Sequence, residues 1–152
     1  MEPNAQFCTF YLDRLLFGVD LTRVREVLRP HQMTRVPLAP GVVEGLMNLR
    51  GEIVTAVDLR RRLEFPPRPP GRPAMNVVIH SGANEAVSLL VDEIGDVVEV
   101  DAATFETPPE TLRGTVRTMI TGVHKLSDRL LLVLDAERAI CEPSEEATAD
   151  GN

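Results

Sequence analysis

The chain has no tryptophan, a single tyrosine and only 4% aromatic residues among its 152 positions. A core must therefore be assembled from Val, Leu and Ile. Cysteine is nearly absent as well. Cys8 and Cys141 stand near opposite ends, with no CxxC spacing and no neighbouring histidines, so neither a zinc site nor any other metal is expected. Two lone thiols in an acidic chain point to a reducing compartment. No stretch approaches the roughly 20 apolar residues that a membrane helix needs. The opening MEPNAQ lacks the basic and apolar regions of a signal peptide. The expectation is a cytoplasmic protein with no direct membrane insertion. Positive charge is also in deficit: the formal net charge is −7 and the pI about 5.0. That argues against nucleic acid as a partner, because neutralising phosphates takes a basic surface. Catalytic signatures are missing too: there is no GxGxxG, GxxxxGK[ST], HExxH or GxSxG.

What is present reads as ordinary globular material, 43% apolar and 26% charged. The length suits one domain or two very small ones. Phe7 to Leu12 and Leu15 to Val19 alternate as two strands around an Asp13-Arg14 turn. Asp20 can cap a helix, and Leu21, Val24, Val27 and Leu28 fall at helical spacing, so a first helix is expected before Pro30. Val42 to Leu49 and the nearly continuous apolar run Ile53 to Val57 form a hairpin about Arg50-Gly51, the second strand buried on both faces. Asp58 opens a short helix whose Arg60-Arg61-Arg62 run reads as a solvated face. Five prolines in Phe65 to Pro73 make a stiff spacer. Further strands are expected at Asn76 to His80, Ala86 to Val91, Ile94 to Val100, Thr118 to Leu126 and Leu130 to Leu134, with a loop between 101 and 121 and a turn at Ser81 to Asn84. A last helix opens at Asp135 and stops at Pro143.

The hairpin occurs twice. GLMNLRGEIVTAVDLRRRL, from Gly45 to Leu63, is echoed 77 residues later by GVHKLSDRLLLVLDAERAI, from Gly122 to Ile140. Val19-Asp20 followed by VREV is echoed by Val91-Asp92 followed by VVEV. Self-similarity at a fixed offset means related units. Many short strands, tight turns and few helices point to small barrels. The expected organisation is one domain over 1–143 with subunits near 7–64 and 74–142, joined by the linker 65–73, with strand exchange between them left open. Residues 144–152 form an acidic, disordered tail.

The search for chemistry yields little. His31, His80 and His124 are far apart, and His80 and His124 read as partly solvated structural residues at strand ends. Asp92 and Asp96 could pair as carboxylates, but nothing signals the split environment that acid–base chemistry needs. An enzyme is not expected, and a hydrolase using Asp92 and Asp96 is the remote alternative. Arg50 stands out instead, because an arginine at a hairpin tip presents a rigid five-donor fork.

The stretch GLMNLRGEIVTAVDLRRRL, with its approach TRVPLAPGVVEG and the opening FYLDRLLFGVDLTRVREVL, resembles the CheW-like coupling proteins of bacterial chemotaxis. The likeness runs from about Phe7 to Ile140 and departs at Thr55, where that family commonly has proline. The resemblance implies a mainly β fold of two five-stranded SH3-like barrels around a shared apolar core. It implies no catalysis and no cofactor. It implies an adaptor, monomeric alone and arrayed with partners, that couples the cytoplasmic tip of methyl-accepting chemoreceptors to the regulatory domain of a CheA-type histidine kinase. The receptor's helical hairpin would dock in a groove between the barrels, a recurring recognition mode. Carried over by position, the receptor-binding residues would be Arg50, Val24, Glu26, Asn48, Leu49 and Val77, and the kinase-binding residues Gly45 and Ile94. The alternative is a small-ligand sensor or scaffold that uses the same groove in a pathway unrelated to motility.

Overall fold

The computed structural model describes residues 4–81 and 85–140. Ten strands form two five-stranded sheets: β1 (Asn4–Leu12), β2 (Leu15–Asp20), β3 (Val24–Leu28), β4 (Val43–Leu49), β5 (Glu52–Asp58), β6 (Met75–His80), β7 (Ala86–Val91), β8 (Glu93–Asp101), β9 (Ile120–Lys125) and β10 (Leu130–Leu134). One sheet runs β8-β1-β2-β10-β9, the terminal barrel. The other runs β3-β6-β7-β5-β4, the inner barrel. Among the described residues three short helices complete the fold: α1 (Leu59–Arg62), α2 (Thr115–Met119) and α3 (Ala136–Ile140).

Each sheet curls because the segment leaving one edge strand pairs with the other edge. After β3, Thr34 exchanges both backbone hydrogen bonds with Leu46 of β4, at 2.9 and 2.8 Å. After β8, Glu106 does the same with Val123 of β9, both at 2.8 Å. Closure removes free sheet edges.

The two halves of the sequence repeat are β1–β5 and β6–β10, and the Pro-rich segment lies between them. It does not divide the barrels. The terminal barrel takes the hairpin β1–β2 from the first repeat and β8–β10 from the second. The inner barrel takes β3–β5 from the first and β6–β7 from the second. Each repeat therefore lends its first hairpin to the other, and the subunits expected at 7–64 and 74–142 are interleaved. The seams are the only parallel pairings among the described strands, β2 with β10 and β5 with β7. The physical reason lies at the connections. The short links from β2 to β3 and from β7 to β8 carry the chain across, while the spacer 65–73 returns it to the same sheet.

Three apolar clusters follow from this arrangement. Met47, Leu49, Val54, Val78 and Ala86 fill the inner barrel, and Phe7, Leu16 and Leu131 fill the terminal one. The third and largest joins both sheets, with Phe10, Leu12, Phe17 and Val19 against Val57, Leu59, Val77, Ile79, Leu89 and Val91. The rings of Phe10 and Phe17 stack 5.8 Å apart within it.

Several expectations are corrected. The first helix is only a 3₁₀ turn over Leu21–Arg23, capped by the Asp20 carboxylate accepting from the Thr22 N–H at 2.9 Å. From Val24 the chain is β3, paired with β6. The apolar spacing fitted both periods, and two β-branched valines beside an available strand edge decided for sheet. Ile53 is 60% exposed, so β5 is not buried on both faces at its start. The α1 arginines are not a solvated face: Arg60 and Arg62 are buried and only Arg61 is exposed. Arg62 donates to the carbonyls of Ala139 and Arg138 in α3. The segment 101–121 contains a 3₁₀ turn and α2, and β9 starts at Ile120. The end of the last helix at Pro143, the tail 144–152, Cys141 and most of the turn at Ser81 to Asn84 lie outside the described residues.

Candidate functional site

The β4–β5 hairpin turns through two residues. Asn48 pairs with Ile53 and Leu49 with Glu52, which leaves Arg50 and Gly51 at the tip with φ of 52° and 90°. Both central residues are left-handed, the type I′ arrangement whose twist matches the strands. Glycine adopts this freely, whereas arginine does so against its steric preference. The Asn48 side-chain oxygen accepts the Gly51 N–H at 2.8 Å and fixes the turn. Gly51 is the residue type such a turn calls for, and Arg50 is not. Strained non-glycine residues gather at functional sites.

The Arg50 side chain is 64% exposed and forms an ion pair with Glu26 of β3. The two elements stand at opposite ends of the strand order and meet because the barrel closes. Arg25 extends the array, lying 3.6 Å from Glu26 and 2.8 Å from Glu52. An alternating ladder, Glu52–Arg25–Glu26–Arg50, thus crosses the barrel's edge. Ile53, on the strand leaving the tip, and Val27 on β3 are exposed apolar side chains of these same two elements. Charged groups beside exposed aliphatic groups suit a protein partner that offers an apolar ridge with polar flanks.

The predicted site residues divide. Arg50, Glu26 and Asn48 belong to one surface. Val24 is half-buried against the shared core. Leu49 and Val77 are core residues at 3% and 0% exposure, so their side chains shape the edge and do not present it. Gly45 is buried too: a Cβ there would come within 2.7 Å of the Thr34 carbonyl oxygen. It permits the strand crossing that closes the barrel. Ile94, in the terminal barrel, is half-buried against the shared core. Arg25, Val27, Glu52 and Ile53 escaped the sequence reading. The alternation in VREVL, once read with period two, would have found the first pair.

A second polar cluster ties the barrels together. The Arg60 fork grips both oxygens of Asp92, at 2.9 and 2.7 Å, and also reaches Asp13 and the Pro66 carbonyl. Asp13 lies in the β1–β2 turn, Asp92 between β7 and β8, Arg60 on α1 and Pro66 in the spacer. Arg68 of the spacer adds a bond to Asp92 at 3.1 Å. The hydrogen bonds to Asp92 above all, then the charges, push the Arg60 pKa up against the effect of burial. Burial alone would raise Asp92. Hydrogen bonds from Arg60, the Asp13 N–H and Arg68 outweigh it and hold the carboxyl below the usual carboxylate range. Asp92 is therefore a locked carboxylate and does not form an acid–base pair with exposed Asp96. His124, also read as partly solvated, is buried. Its Nδ1 sits 2.9 Å from the Thr104 hydroxyl between the rings of Phe7 and Phe105, and burial lowers its pKa. His80 is exposed at its strand end, as expected.

The CheW-like domain profile matches residues 6–143. The chain belongs to the CheW-like domain family. It is 29% identical over 146 residues to the chemotaxis protein CheW of Treponema pallidum, covering 90% of this chain and 82% of that protein. It is 28% identical over 147 residues to CheW of Bacillus subtilis, covering 97% and 94%. Among solved structures, the scaffolding protein TtCheW of Thermoanaerobacter tengcongensis superposes with a TM-score of 0.78 at 25% identity, over 86% of this chain and 88% of that one. Membership in the CheW-like family places the chain among the non-catalytic scaffold and adaptor proteins of chemotaxis signalling. No helix among the described residues is long and apolar enough to cross a membrane.

Proposed function

We propose that this chain couples methyl-accepting chemoreceptors to a CheA-type histidine kinase in a bacterial chemosensory array. The chain acts in the cytoplasm and is drawn to the inner face of the membrane only through the receptors. The observation that carries this reading is the strained Arg50, held by Glu26, on a hairpin and a strand that also carry the exposed Ile53 and Val27. The receptor tip, an amphipathic helical hairpin, lays its apolar ridge against Val27 and Ile53 and offers acceptors to the free part of the Arg50 fork.

The test is co-sedimentation with receptor signalling fragments. Arg50→Ala weakens binding by about tenfold or more, as loss of a centrally placed arginine does, while the unfolding midpoint stays where it is. Wild-type affinity in that variant removes Arg50 from the interface, and no receptor binding by the wild type ends the reading for this chain.

A cavity of about 750 Å³, lined by the inner barrel and the spacer and not by the groove between the barrels, favours a small-ligand sensor as the second reading, at a different place from the one expected. It lies beneath the Pro-rich segment, lined by Met33, Phe65, Leu90 and Arg68 among others, and its volume is in the range of small-molecule pockets. A metabolite that raises the melting midpoint in a thermal-shift screen would support that reading.

A further inference from the structure

Strand β3 carries one residue more than its neighbour between two matched positions. Val24 stands opposite Ile79 of β6 and Glu26 opposite Val78, so two steps along β3 meet one step along β6. This is a β-bulge, with Arg25 as the unmatched residue. In a regular strand consecutive side chains point to opposite faces, and Arg25 would turn away from Glu26. A bulge re-aims a side chain, and here both residues reach the same hairpin. Arg25 Nη1 lies 2.8 Å from Glu52 Oε1, and Arg25 Nε lies 3.6 Å from Glu26 Oε2. That Glu26 oxygen is also the atom paired with Arg50 Nη2. Two arms therefore cross: Arg25 reaches from β3 to the first residue of β5, and Arg50 reaches back from the hairpin tip to β3. One carboxylate oxygen serves two guanidinium groups.

We propose that Arg25 is a positioning residue for receptor docking, which keeps Glu26 paired when the Arg50 fork turns from β3 to acceptors on the receptor tip. The inference deepens the coupling role proposed above and rests on it. Two electrostatic effects support it. Arg25 attracts Glu26 and repels Arg50, so Arg50 leaves that carboxylate at a lower cost than from an undivided pair. After Arg50 has turned, Glu26 still has a cation beside it. Its side chain is only 23% exposed before any partner arrives. A carboxylate left unpaired there would be desolvated beneath the receptor, and a charge buried without its partner costs affinity. Glu52 on the far side of Arg25 holds that guanidinium in place while the exchange occurs. The bulge is what makes the arrangement available, since a strand in regular register would aim Arg25 elsewhere.

Arg25→Gln tests this in the full chain, by titration against a receptor signalling fragment. The Kd rises about three- to fivefold, the size that a partly exposed ion pair commands. Arg25→Lys keeps the charge and stays within about twofold of wild type. The deciding readout is a double-mutant cycle with Glu26→Gln. In the Glu26→Gln chain, Arg25→Gln adds no further loss, because no carboxylate remains to be held. A direct contact of Arg25 with the receptor, or a purely structural bond to Glu52, would cost the same in either background. Wild-type affinity in Arg25→Gln overturns the proposal, as does a loss undiminished in the Glu26→Gln chain. If the wild-type chain binds no receptor fragment, the coupling reading fails and this inference with it. A receptor-binding wild type with an indifferent Arg25→Gln ends only the role of Arg25.

Discussion

At the scale of single residues, arginine does much of the specifying. The chain has one lysine, Lys125, against fifteen arginines, and buried or exposed they act as multi-donor forks. Arg60 satisfies two carboxylates and a backbone carbonyl, a task that a lysine cannot perform in one geometry. Arg60→Met leaves Asp92 short of its main partner in a half-buried site. Urea denaturation is expected to show a loss of ~3–5 kcal/mol, larger than any exposed pair here could account for. His124 makes a prediction about pH. Its pKa is lowered from 6.5 in the folded state by burial, so the unfolded chain binds more protons as the pH falls below that value. Stability should decline below about pH 6.5 and level off beneath the folded-state pKa. His124→Met, which copies Met47 at the matching repeat position, should flatten the slope in melting curves across that range. The place of Arg50 at an exposed hairpin tip was legible, because Arg50-Gly51 separates two apolar runs. Arg60, Arg62 and His124 were not, because burial of a polar side chain depends on distant partners that a local window does not contain.

At the scale of elements, the hairpins and caps are local and were legible. Asp20 and Asp58, both expected as caps, each accept from the N–H two residues on, and Asp101, in a segment expected to be loop, does the same. The misreading at Leu21–Leu28 has a physical source. Leu21, Val24 and Leu28 fit a helix stripe, while Val24, Glu26 and Leu28 fit a strand, and the edge of β6, 48 to 55 residues away, decides. Barrel closure belongs to this scale too, and Gly45 is its weak point. Gly45→Ala puts a methyl 2.7 Å from a backbone oxygen that cannot swing aside. The variant should lose several degrees in melting midpoint, with hydrogen exchange rising at Thr34 and Leu46 before the rest of the sheet. Unchanged protection at those two amides would contradict the closure argument.

At the scale of the whole molecule, the duplication was legible but its topology was not. The offset of 77 residues equates β4, β5 and α1 with β9, β10 and α3. It cannot say which sheet a hairpin joins, because either barrel offers an equivalent edge. The Pro-rich segment then invited a division that the sheets do not respect. Interleaving has a consequence for stability: neither repeat can complete a barrel alone. Severing the chain between Arg68 and Pro69 should yield two halves without cooperative melting, which regain a native circular dichroism spectrum when mixed. A half that melts cooperatively alone would contradict the exchanged arrangement.

The interleaved pair also supplies what an adaptor requires, a rigid body on which separate surfaces keep a fixed relation. The most direct measurement is sedimentation velocity of the full chain with receptor signalling fragment and kinase regulatory domain together. A ternary complex containing all three, larger than either binary one, is the predicted result. Displacement of one partner by the other from the same molecule would contradict coupling at its centre.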